Sequence, residues 1–122
     1  MSQKELAVTF LQQIVSGKIK EAFDDAIHTE FIHHNAYFEA GAQSLMKAMM
    51  DNAELSPNKQ WTVVQVIEEE DRVVIHSHIQ QNTDDLGVAV VHIFRFQEGK
   101  IIETWDVGQS VVSNSPNEQG MF

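Results

Sequence analysis

The chain has 122 residues, 43% of them apolar and 21% charged, which suits one globular domain built around a single core. Eight basic residues against eighteen acidic ones give a formal net charge of −10, and no basic stripe is present to neutralise phosphates, so nucleic acid is excluded as a partner. There is no cysteine, which removes disulfides, thiol catalysis and zinc–thiolate sites.

The first ten residues, MSQKELAVTF, carry acids and an amphipathic pattern, not the basic start and apolar run of a signal peptide. No apolar stretch approaches the ~20 residues of a membrane span, so no membrane role is expected and the cytoplasm is the expected compartment. Ser2 and Glu5 have capping-box spacing, and Leu6, Phe10, Leu11, Ile14 and Val15 follow as a helical stripe that Gly17 ends. The segment KIKEAFDDAI predicts a second helix, with Ile19, Phe23, Ala26 and Ile27 on one side. FIHHNAYF reads as a brief extended segment, and Gly41 opens a third helix through Leu45, Met46 and Met49. Met46, Met49 and Met50 are expected to line core or pocket.

From Trp61 the period changes from helical to alternating. Four strands are predicted in WTVVQVIEE, RVVIHSHIQQN, GVAVVHIFRF and KIIETWDVGQSVV, joined by turns at 69–72, 82–86 and 97–99. The acidic run Glu68 to Asp71 marks a solvated hairpin tip, and the tail SNSPNEQGMF ends on two apolar residues that should dock. With neither repeat nor linker, residues 1–122 form one α+β domain: N-terminal helices packed on a curved antiparallel sheet.

Strand parity singles out the polar residues. His92 shares a face with Val88, Val90, Phe94 and Phe96, and it interrupts an otherwise apolar row. A three-residue loop of Gln97, Glu98 and Gly99 would pair His92 with Thr104 and place Asp106 diagonally from His92, on the same face. A two-residue loop would turn Asp106 to the other face. A buried carboxylate needs a donor, and His92 is expected to supply it; such a pair suits general acid/base work, or is simply a satisfied polar patch in the core. His34 and Asn35 follow an apolar pair and are candidates for pointing inward. His76 and His78, as an HxH pair on one strand, send both imidazoles one way and are candidate metal ligands with His34 and His92. Trp61 and Trp105 read as packing residues, and His28 and His33 attract no functional reading.

The stretches FIHHNAYFEAG, VVIHSHIQ and GVAVVHIFRFQEGKIIETWDV, closing on GMF, resemble the SnoaL-like polyketide cyclases of the nuclear transport factor 2-like superfamily. The resemblance runs from Phe31 to Phe122, and its most specific part is AVVHIFRF followed by GKIIETWD. It implies a cone-shaped α+β barrel with one deep pocket, dimerising through the outer sheet face. It further implies that Asp106 is the acid/base of an aldol-type ring closure and that His92 assists it. His34, Asn35 and His76 would be substrate-binding, with Phe94 and Trp105 beside them. Two positions depart from the family pattern: Ala36 replaces a usual proline, and Thr104 stands where histidine is common.

The expectation is therefore a homodimeric, cofactor-independent enzyme acting on a small hydrophobic or carbonyl-containing molecule. The alternatives are a non-catalytic ligand-binding domain and a histidine-based metal site.

Overall fold

The computed structural model describes residues 1–122. Three helices come first: α1 (Gln3–Val15), α2 (Ile19–Ala26) and, after strand β1 (Ile27–His33), α3 (Ala42–Leu55). The strands β2 (Gln60–Glu69), β3 (Arg72–Gln80), β4 (Val88–Gln97) and β5 (Lys100–Ser110) follow as a meander. The capping box at the start of α1 is formed: Ser2 Oγ accepts from the Glu5 amide at 3.1 Å, and the Glu5 carboxylate accepts from the Ser2 amide at 3.3 Å. No helix is long and apolar enough to cross a membrane.

The sheet is mixed rather than wholly antiparallel. Its order is β1-β5-β4-β3-β2, and β1 pairs parallel to β5. Parallel pairing needs a long crossover instead of a turn, and here the crossover is most of the domain. β1 also starts earlier than its predicted extended segment, because Ile27 leaves α2 and pairs with Ile101. The sheet does not close on itself, and it forms a curved wall against the helices.

One face of that wall is the core. Phe10, Phe23, Phe31, Phe94 and Phe96 pack there with Val73, Ile75 and Ile101. The Phe10 ring meets Phe94 edge-on at 6.1 Å, and Phe23 meets Phe31 in the same way at 6.4 Å. Fully burying each such side chain contributes about 1.5–3 kcal/mol. This aromatic plug fills one end of the cone. The β4 residues beyond it on the same face, His92, Val90 and Val88, run toward the open end, where Val90 faces Gly108 and Val88 faces Ser110.

The β4–β5 hairpin differs from expectation in two ways that together shift the register by two residues and so keep the face. Gln97 pairs with Lys100, so the loop holds two residues, Glu98 and Gly99, both at positive φ (55° and 76°). A bulge then follows between Arg95 and Phe96, with Ile102 as the extra residue. Each change advances β5 by one residue against β4, so together they carry the partner of His92 from Thr104 to Asp106 and leave the face unchanged. His92 therefore faces Asp106 directly, on one face of the sheet.

Candidate functional site

Asp106 stands on the inner face of β5 but is exposed at the open end, not buried as expected, and its position depends on the loop after β1. Asn35 Nδ2 donates to Asp106 Oδ2 at 2.9 Å, while Asn35 Oδ1 accepts from the Tyr37 amide at 2.9 Å. The second bond fixes which end of the amide is the donor. The loop is itself anchored by His33. Its Nδ1 accepts from the Asn35 amide at 3.1 Å, and its Nε2 donates to the Glu39 carbonyl at 2.8 Å. Chain order thus becomes geometry: His33 holds the turn, the turn aims Asn35, and Asn35 orients the carboxylate.

His92 lies across from Asp106, yet no hydrogen bond joins them; the expected His92 donor is replaced by Asn35. The His92 ring stacks on Phe94 at 5.9 Å and 10°, and its Nδ1 is enclosed without a partner. Burial lowers its pKa from 6.5 to about 4, and the Asp106 carboxylate only partly opposes that shift. At neutral pH His92 is an uncharged imidazole facing a carboxylate.

Two cavities meet at the Asn35–Asp106 pair. The smaller, ≈ 220 Å³, lies against α3 and is walled by Phe38, Leu45, Ala48, Met49 and Asn52. The wider, ≈ 550 Å³, is an open groove running past His34, Tyr37, Val88, Val90 and Gly108. Asn35 and Asp106 line both.

The other anticipated site residues fall elsewhere. His76 pairs with Val91 while its neighbour Ile75 pairs with His92, so His76 and His78 occupy the outer face. There Phe122 packs on them, with ring centroids 6.0 Å from His76 and 4.6 Å from His78, which shows where the apolar tail docks. His76 accordingly cannot serve a substrate on the inner face, and the four histidines considered as metal ligands do not converge; no group of three metal-ligating side chains forms. Trp105 pairs with Ile93, also on the outer face, and stacks on His34 at 5.1 Å. His34 borders the wider groove, but its Nε2 is engaged by Glu103 at 2.7 Å, and Arg95 Nε holds the same carboxylate at 2.8 Å. The His34 bond, with Arg95 behind it, keeps Glu103 below the usual carboxylate range. Phe94 is on the inner face but 1% exposed, a floor under His92 and not a cavity wall.

His33 is the residue that the sequence reading passed over. Phe31 is buried, and strand parity puts His33, not His34, on the same side; that signal was available.

The sequence matches the family profile of SnoaL-like polyketide cyclases over residues 5–113. The chain belongs to that family. The match includes Asn35, His92 and Asp106. No curated protein sequence matches the chain. Among solved structures, an NTF2-like protein of unknown function from Cytophaga hutchinsonii superposes with a TM-score of 0.73 at 14% identity, covering 89% of this chain and 91% of that one. An NTF-2 like protein of unknown function from Burkholderia xenovorans gives 0.72 at 14% identity over 92% and 86%. TsrD from Streptomyces laurentii gives 0.70 at 18% identity over 89% and 91%. These likenesses establish the NTF2-like fold of this SnoaL-like protein, and the fold alone does not fix a reaction.

Proposed function

We propose that this SnoaL-like protein moves a proton at the carbon next to a carbonyl, in an isomerase- or aldol-type cyclase reaction. The observation that carries the reading is the Asp106 carboxylate, held by Asn35 at 2.9 Å where two cavities meet and faced by a neutral histidine. Asp106 takes the proton, and the C–H electrons become the carbon–carbon double bond of an enolate while the carbonyl π electrons move to oxygen. An N–H of neutral His92 meets the developing oxygen charge. The proton then returns from Asp106 to the same carbon, or to another after the double bond shifts. In ring closure the enolate carbon attacks a second carbonyl, whose oxygen takes the proton. Asn35 is a positioning residue in each case.

The test uses 2-tetralone, a ketone with acidic α-protons, in deuterated water. Asp106→Asn should keep the wild-type affinity and lose the protein-dependent deuterium uptake. Affinity lost together with uptake would support a binding module instead, and uptake unchanged in the variant would sink the acid/base assignment.

The same reading includes a homodimer joined through the outer sheet face. Ile32, Ile67 and Val107 support it, being 48%, 55% and 63% exposed on that side.

A further inference from the structure

Three buried polar atoms have no partner in the protein: Trp61 Nε1, Ser77 Oγ and His92 Nδ1. Folded proteins pair nearly all such atoms, so three together call for a physical reason. The strand register gives them a common placement. Ser77 pairs with Val90, two residues from His92, and so is its diagonal neighbour on the inner face. Trp61 pairs with Ile79, two residues from Ser77, and is the next diagonal step. With Asp106 facing His92, the sequence Asp106–His92–Ser77–Trp61 crosses β5, β4, β3 and β2 as one oblique polar row. Every other inner-face residue of β3 from Val73 to Ile79 is apolar.

The opposite wall is loosely built. Leu45 is the only fully buried residue of α3, although Met46, Met49 and Ala53 also turn toward the core. Met49 is shared by that packing and by the ≈ 220 Å³ cavity that reaches Asp106. Unbranched methionine side chains repack at low cost, so this wall can yield toward the sheet.

We infer that Trp61 and Ser77 form a distal polar subsite for a flat, two-ring carbonyl compound that carries a second oxygen at the end remote from its reacting carbon. The inference rests on Asp106 marking the reacting end. The span comes from the sheet itself: Asp106 and Ser77 are two strands and two residues apart, about 12 Å at the backbone. That length suits a fused bicycle rather than a single ring. The polarity comes from the atoms. An indole N–H only donates, so the remote group must offer an acceptor oxygen, and the Ser77 hydroxyl donates to the same oxygen or accepts from it if it is a hydroxyl. An acceptor there satisfies atoms that the protein leaves unpaired. A ligand lacking it leaves them unpaired, and this is how a buried polar site discriminates.

The experiment compares 6-hydroxy-2-tetralone with 2-tetralone, which differ by the remote oxygen alone. With the indole positions labelled with nitrogen-15, the Trp61 N–H resonance should move on adding the hydroxylated ketone and stay nearly still with 2-tetralone. Trp105, on the outer face, is the internal control. Trp61→Phe and Ser77→Ala should each weaken binding of 6-hydroxy-2-tetralone about tenfold and leave 2-tetralone affinity unchanged. Ser77→Ala removes one oxygen atom only, so it keeps the test open if the Trp61 variant folds poorly. Equal wild-type affinities, equal losses for both ketones, or no binding of the hydroxylated one would overturn the subsite. Deuterium uptake from Asp106 is read separately, so failure of the subsite and failure of proton transfer give different results.

Discussion

His92 shows how one half-buried side chain with an enclosed Nδ1 can be functional and costly together. Its imidazole is held neutral by burial, with a pKa of about 4 against the ordinary 6.5. The unfolded chain therefore takes up a proton between those values that the folded protein refuses. Stability is full above pH 6.5 and falls as pH drops through the window to about 4, by on the order of 3 kcal/mol. His92→Gln should flatten that acid slope, measured as the free energy of denaturant unfolding at pH 7 and pH 4.5. An unchanged slope would mean that His92 is already solvated. At Asn35, removal of a hydrogen bond to a charged group should slow deuterium uptake roughly 10- to 100-fold in Asn35→Ala. Uptake at the wild-type rate would show that Asp106 needs no positioning. His92 and Asp106 were legible from alternation. Their link was not, because the donor to Asp106 comes from a loop whose path no strand period encodes. His34 misled for a simple reason: an apolar pair before it suggested inward pointing, whereas buried Phe31 gives the inner side to His33.

The β4–β5 hairpin explains why register was the hardest element to read. A two-residue loop demands positive φ at Glu98, which an ordinary side chain resists. A longer-range contact favours it: the Glu98 carboxylate bonds His28 Nε2 at 3.1 Å, across from β1. The following bulge has its own sequence correlate, since Ile101 and Ile102 are adjacent yet both buried, at 0% and 6% exposed. A regular strand cannot turn two neighbours inward. Glycine is required to different degrees in this loop and in the one that leads into β4. Gly99 has φ 76° with open space where a Cβ would stand, so Gly99→Ala costs backbone strain alone, about 1–2 kcal/mol and a few degrees of melting temperature. At Gly87, φ 82°, a Cβ would stand 2.3 Å from the Ile79 carbonyl oxygen and 2.9 Å from His78 Nε2. Gly87→Ala should lower the melting temperature clearly more than Gly99→Ala by calorimetry. The reverse order would mean that the β3–β4 connection has room for a methyl group at Gly87.

At the scale of the whole molecule, the change from helical to alternating periods at Trp61 was enough to give three helices and a meander. The parallel addition of β1 left no such mark, because a strand joined by a long crossover carries no turn signal. That addition matters for the site, since it brings the 34–37 loop over β5 and so brings Asn35 to Asp106. The two faces of the sheet then divide the work: Asp106, His92, Ser77 and Trp61 inside, and Ile32, Ile67 and Val107 exposed outside. If two copies join through the outer face, the double variant Ile67→Lys, Val107→Lys should sediment as a monomer while melting within a few degrees of the wild type. A dimeric variant, or a monomeric wild type, would contradict that arrangement. The central claim is that substrate lies between α3 and the inner face with its reacting carbon at Asp106. A crystal structure of the protein soaked with 6-hydroxy-2-tetralone tests it most directly. The rings should lie against Met49, with the α-carbon about 3–3.5 Å from the Asp106 carboxylate and the hydroxyl at Trp61 Nε1. Density confined to the outer face, or rings bound with the carbonyl remote from Asp106, would contradict it.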